Sequence, residues 1–132
     1  ITTHHLRRIL DIDLIAPLGG DGRPVSAAAR SGGWVLPAGQ AGERADGTVP
    51  ESFAEEVALA LDNLSAVLES AGSDLAHVLR IEVILRDMAD FPVMNEVYLA
   101  RIAPPRPPRF TIGAGLAPGY RVEFVATAVV RD

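Results

Sequence analysis

Two apolar periods divide this chain, and their order leaves few folds open to it. A period of three to four fills Pro50 to Ala71, where Phe53, Val57, Leu61, Leu64, Leu68 and Ala71 mark one stripe. That spacing makes one face of an amphipathic helix. A period of two runs through "HVLRIEVILRD" (His77 to Asp87), "RFTIGAG" (Arg109 to Gly115) and "YRVEFVATAVV" (Tyr120 to Val130). Alternation of that kind sends successive side chains to opposite faces of a strand. Leu79, Ile81, Val83 and Leu85 share one face of the first of these runs; Val78, Arg80, Glu82 and Ile84 share the other. In the last, Val122, Phe124, Ala126 and Ala128 oppose Glu123, Val125, Thr127 and Val129.

Boundary signals complete the pattern. Thr48 and Glu51 have capping-box spacing, Pro50 falls in the first turn of the long helix, and Gly72 ends it. Asp90 opens a second helix over Phe91 to about Ile102, with Pro92 in its first turn. Upstream, Leu6 to Ile12 reads as a strand. Val25 to Ala29 and Trp34 to Ala38 read as a hairpin that turns at Ser31-Gly32-Gly33. The order β-β-β-α-β-α-β-β predicts one α+β domain over residues 1–132, a six-stranded mixed sheet with two helices packed on one face. Two helices cannot cover both faces of such a sheet. The other face, assigned Val78, Ile84, Val125 and Val129, is too apolar for water, so burial against further subunits is expected.

Composition removes several chemistries. The 132 residues hold no cysteine and no lysine, and all 12 basic residues are arginine. Thiolate nucleophiles, cysteine-bound metals and Schiff-base chemistry are excluded. The net charge is −5, with no basic run longer than two arginines, so nucleic acid is not an expected partner. The longest apolar runs fall well short of the ~20 residues that span a bilayer. No secretory signal is recognisable, and a cytoplasmic protein is expected. No His, Asp and Glu spacing suggests a metal site, no cofactor is expected, and no glycine cluster opens a helix as a phosphate loop does.

Two charged residues stand out. Arg109 follows "PPRPP" (Pro104 to Pro108), whose prolines stiffen the approach. It reads either as a solvated arginine at a strand start or as a guanidinium held to clamp a carboxylate. Glu123 lies inside the apolar "VEFVATAVV" and either faces solvent or sits in a pocket. If Arg109 and Glu123 stand on neighbouring strands, one can hold an anion while the other orients a water. Glu82 is open to the same two readings, and Asn95 reads as an amide on the second helix.

Several phrases together resemble the RidA family, also called YjgF or L-PSP. They are Gly39-Gln40, "ALDNLSAVLESAGSDLAHVLR" (Ala60 to Arg80), "VILRDMADFPVMNEVY" (Val83 to Tyr98), the "PPR" ending at Arg109, and "VEFVATAVV" (Val122 to Val130). They come in the family's order and cover nearly the whole chain. The resemblance implies a RidA-like, chorismate-mutase-like fold, a homotrimer with a barrel-like core, and clefts between subunits. It implies hydrolysis of reactive enamines and imines, such as 2-aminoacrylate, to 2-keto acids and ammonia. It implies that Arg109 clamps the small-molecule carboxylate, that Glu123 serves the hydrolytic water, and that Gly39 offers backbone groups. Asn95 matches the helix asparagine, and Thr111 stands where a pocket cysteine is frequent. Val25 and Ala38 replace a usual tyrosine and serine, and the stretch from Arg109 to Glu123 is one residue shorter than usual. Those departures leave open a diverged enzyme for a larger, more apolar substrate, or a non-catalytic trimer that binds small carboxylates.

Overall fold

A computed structural model describes residues 11–18 and 24–132. Among them one sheet runs in the order β1 (Asp13–Ile15), β2 (Ala28–Ser31), β3 (Trp34–Pro37), β7 (Val122–Val129), β5 (Val78–Leu85) and β6 (Arg109–Gly113). A two-residue strand, β4 (Gln40–Ala41), adds to β7 beyond the end of β3. The β5–β6 pair is parallel and the other pairs are antiparallel, so the sheet is mixed as expected. The strand expected over Leu6 to Ile12 lies almost wholly outside the described residues; β1 begins just after it.

Helices α1 (Phe53–Ser70) and α2 (Phe91–Arg101) cover one face. The core lies between them and the sheet: Val57, Leu61, Leu64 and Leu68 of α1 and Met94 and Tyr98 of α2 meet Val35, Ile81, Val83, Leu85, Val122 and Phe124. The α1 stripe is the one its periodicity predicts, and Gly72 follows the helix at φ 83°, a conformation that favours glycine. Its start is corrected. Ser52, not Thr48, is the N-cap, accepting from the Glu55 backbone N–H at 3.3 Å. Thr48 is committed elsewhere, donating its hydroxyl to Asp46 at 2.7 Å. Pro50 therefore precedes the helix. At α2, Asp90 makes no side-chain cap; Asp87 caps the 3₁₀ turn before it by accepting from Ala89.

A buried ion pair fixes the start of α1 to the start of β7. Glu56 is fully buried and accepts from the Arg121 backbone N–H at 2.8 Å and from Arg121 Nε at 2.7 Å. The same guanidinium donates to the Pro50 and Glu51 carbonyls and lies 5.3 Å over the Phe53 ring. Gly42 passes so close that a Cβ there would stand 2.2 Å from the Glu56 carbonyl oxygen.

The second face of the sheet is bare. Register places Leu14, Ala29 and Leu36 in one row, Trp34 beside Val129, Phe110 beside Glu82 and Val125, and Ile112 beside Ile84 and Glu123. Trp34 and Leu36 are each 51% exposed, and Leu14, Phe110 and Ile112 are nearly as open. The uncovered apolar face is thus present, with one change of membership. A register shift between Val78 and Arg80 turns Val78 into the core and leaves Leu79 exposed, reversing the assignment of both. No described helix is long and apolar enough to cross a membrane.

Gly42→Ala tests the α1–β7 junction. The added methyl meets backbone rather than a movable side chain, so stability falls by about 2 kcal/mol or more in chemical denaturation. A change under about 0.5 kcal/mol would show that the strand can retreat from α1 without cost.

Candidate functional site

The seven residues singled out in the sequence fall into two groups. Val25, Ala38, Gly39 and Glu123 line one cavity of about 450 Å³. It opens along β4 and is also walled by Leu18, Ala27, Glu43, Asn63, Val67 and Tyr120. Arg109, Thr111 and Asn95 do not line it. Arg109 and Thr111 lie on β6, at one edge of the sheet, and Asn95 lies on α2.

Arg109 and Glu123 are not on neighbouring strands, which corrects that expectation. β5 runs between β6 and β7. Arg109 pairs with Ile81, whose side chain points to the helices, and Glu123 pairs with Ile84, whose side chain points away from them. Within one protomer the two charges lie on opposite faces of the sheet.

Glu123 is held on the bare face against Gly39. A Cβ at residue 39 would stand 2.5 Å from Glu123 Oε2, so only glycine lets the carboxylate lie there. The backbone beside it is fixed: Ala38 N–H donates to Ala27 at 2.8 Å, and Gln40 Nε2 returns to the Ala38 carbonyl at 3.0 Å. Asn63 of α1 donates to the carbonyls of Ala41 and Glu43 at 2.9 and 3.0 Å, holding the chain as it leaves β4. Glu43 in turn accepts from the Tyr120 hydroxyl at 2.8 Å. Glu43 and Tyr120 are cavity residues that the sequence did not disclose; 77 positions separate them, and neither carries a motif.

Arg109 is held by aromatic rings. Its guanidinium carbon lies 4.5 Å from the Tyr98 ring centroid and 5.7 Å from that of Phe91, and Tyr98 stacks on Phe124 behind it. The proline segment delivers the arginine through two anchors. Arg106, the arginine between the prolines, donates to the Ile102 and Leu99 carbonyls at the end of α2. The Pro108 carbonyl accepts from Ile81 at 3.0 Å, which starts the β5–β6 ladder. Thr111 Oγ1 and Tyr98 Oη are buried without a hydrogen-bond partner among the described residues. Burial holds the Tyr98 phenol above its ordinary pKa of 10.0, and the nearby Arg109 and Arg106 charges oppose that only in part. Among the described residues no group of three His, Asp or Glu could hold a metal ion.

The chain is thus an α+β sheet with one bare face, a carboxylate in a cavity beside a glycine, and a guanidinium at the sheet's far edge. The chain belongs to the Endoribonuclease L-PSP family, the RidA or YjgF family, whose model matches residues 22–130. Protein mmf2, mitochondrial, from Schizosaccharomyces pombe is 38% identical over 81% of this chain and 88% of its own length. A protein from Dermatophagoides farinae named 2-iminobutanoate/2-iminopropanoate deaminase is 32% identical over 81% of this chain and 86% of its own. A crystal structure of a YjgF family member from Neisseria meningitidis superposes with a TM-score of 0.81 at 36% identity, covering 93% of this chain and 98% of that one. The two helices on a mixed sheet are therefore the family's fold.

Tyr98→Phe separates the ring's work from the hydroxyl's. The ring still faces Arg109, and an unpartnered buried hydroxyl is removed, so stability at pH 7 is kept or rises by up to about 1 kcal/mol. Because the folded phenol titrates above the unfolded one, the wild type keeps its full stability below pH 10 and loses some as pH climbs past it. The variant lacks that contribution to the alkaline loss. A variant clearly less stable at pH 7 would mean that the hydroxyl has a partner.

Proposed function

We propose that this protein is a homotrimeric hydrolase of reactive enamines and imines, with its sites between subunits. The observation that carries the reading is the separation of Arg109 from Glu123 across the sheet. A guanidinium at an edge strand and a carboxylate on a bare apolar face serve one ligand when the edge of one protomer abuts the cavity of the next. The bare face supplies the reason for association, since an apolar surface of this extent favours burial.

In the site so formed, Arg109 binds the substrate carboxylate with its planar fork. The aromatic platform of Tyr98 and Phe91 holds the guanidinium without competing for its N–H groups. 2-Aminoacrylate reaches the site as the enamine or as its imine tautomer. Glu123 takes a proton from water as the oxygen adds to the C=N carbon, giving a carbinolamine. That proton goes to the nitrogen; Glu123 then carries the carbinolamine hydroxyl proton to the amine, the C–N bond breaks, and ammonia leaves a 2-keto acid. Asn95 and Thr111 belong to the Arg109 half of the site; Gly39 and Ala38 belong to the Glu123 half. The family relatives named as imine deaminases support this chemistry, and the net charge of −5 weighs against an RNA substrate.

A second reading has its own support. Val25 is 61% exposed at the cavity, and Ala38 lines it too, where the resemblance led us to expect tyrosine and serine hydroxyls. That apolar lining favours a bulkier imine than 2-aminoacrylate, or a carboxylate bound without turnover.

The test generates 2-aminoacrylate in place with a serine dehydratase and follows ammonia release above the spontaneous rate. The wild type accelerates it, and Arg109→Ala lowers kcat/KM by about 10²-fold or more. Wild-type rates equal to the spontaneous one on both small and bulky imines would remove the hydrolase reading. A stable monomer at micromolar concentration in sedimentation would remove the trimer.

A further inference from the structure

One arginine outside the cavity is tied to a wall of it. Arg86 follows β5 directly and is exposed. Its Nη2 donates to the carbonyls of Leu116 and Ala117 at 2.9 and 2.7 Å. Both carbonyls belong to the connection from β6 to β7, 30 and 31 positions further along the chain. A guanidinium is a cationic donor, so these bonds are stronger than ones between neutral groups.

That connection is open to solvent at Ala114, Gly115, Ala117, Pro118 and Gly119. Backbone bonds tie its ends to β5: Ala114 N–H donates to Leu85 and Arg86 N–H donates to Arg121, each at 3.0 Å. Its last four residues, Ala117 to Tyr120, make a tight turn. Tyr120 N–H donates to the Ala117 carbonyl at 3.2 Å, and Gly119 stands at φ 93°. Pro118 and Gly119 occupy the two central positions, as a type II turn favours. The Ala117 carbonyl therefore closes the turn and accepts from Arg86 as well. Tyr120 leaves the turn as a cavity residue, and its hydroxyl donates to Glu43 Oε2 at 2.8 Å.

We propose that Arg86 is a positioning residue for this cavity: by clamping the Ala117–Tyr120 turn to the end of β5, it holds Tyr120 as a wall on which the substrate's side chain packs. The inference rests on the hydrolase reading of the cavity. With the substrate carboxylate on Arg109 of one subunit and the reacting carbon at Glu123 of the next, the remaining group extends between Val25, Ala27, Val67 and Tyr120. Glu123 lies against Gly39 and pairs through β7, so it does not depend on the turn. Releasing the turn thus leaves the reacting end in place and loosens the side-chain end. A substrate with only a methyl group there loses little, and a branched one loses a wall.

Fluorine NMR tests the placement, and kinetics tests its consequence. The chain has two tyrosines, Tyr98 and Tyr120, so protein labelled with 3-fluorotyrosine gives two lines, assigned with Tyr98→Phe. Arg86→Met keeps the stem and removes the donors; it should shift or broaden the Tyr120 line and leave the Tyr98 line of the core unmoved. Imines are then made in place by an amino-acid oxidase. On 2-imino-4-methylpentanoate, Arg86→Met should raise KM about fivefold or more and keep kcat within about twofold, with kcat/KM on 2-iminopropanoate also within about twofold. Arg86→Lys, which keeps the charge without the planar fork, should fall between Arg86→Met and the wild type. A Tyr120 line indifferent to Arg86→Met, or an equal loss on both imines, overturns the inference and leaves the hydrolase reading intact. Wild-type turnover of neither imine removes the hydrolase reading instead, and the Tyr120 line still decides whether Arg86 places the wall.

Discussion

A sheet with helices on one side must find cover for the other. Here the covered side is filled by α1 and α2 and leaves no large apolar side chain unburied along the centres of β5 and β7. The bare side carries Trp34, Leu36, Phe110 and Ile112 in the open, with Ile84, Val125 and Val129 between them. Burying that surface contributes roughly 25 cal/mol for each Å² of apolar area removed from water, less the cost of association. This one constraint organises the rest. It gives the chain a reason to associate, and it sets Glu123 on the surface through which association would occur.

The polar residues follow from the same layering. On the helix side, a charge must be paired or stacked. Glu56 accepts from the backbone N–H and the Nε of Arg121, and Arg109 lies on the rings of Tyr98 and Phe91. The Glu56–Arg121 pair also locks the approach to α1 and the entry of β7, which carries Tyr120 and Glu123 a residue or two to either side. On the bare side, Glu123 rests over Gly39, where any larger residue would displace it. The two halves of the proposed site are each held within their own protomer by unrelated contacts.

Much of this architecture was legible in the sequence. The period of two in Val122 to Val130 and the α1 stripe from Phe53 to Leu68 are strong because burial on one face permits only one register. Local competition hid other features. Thr48 and Ser52 both stand three residues before a glutamate, and only the Asp46 contact to Thr48 decides between them. The bulge near Leu79 is a matter of how β5 meets β7, and alternation along β5 alone predicts the wrong face for Val78 and Leu79. Arg109 and Glu123 were both visible as candidates, but their relation was not. Fourteen positions apart on consecutive strands, they read as neighbours, and the parallel insertion of β5 between β6 and β7 depends on a crossover that no local pattern encodes. Glu43 and Tyr120 carry no signal at all until the loops are brought together.

The central claim is that one site draws Arg109 from one subunit and Glu123 from the next. Mixing two inactive proteins tests it most directly. Arg109→Ala and Glu123→Gln chains, combined in equal amounts and allowed to exchange subunits, would place an intact arginine opposite an intact glutamate at about a quarter of random interfaces. The account predicts that hydrolysis returns to about that fraction of the wild-type rate. A mixture that exchanges subunits and stays as inactive as its parents would mean that both residues act within one chain, and would contradict the account.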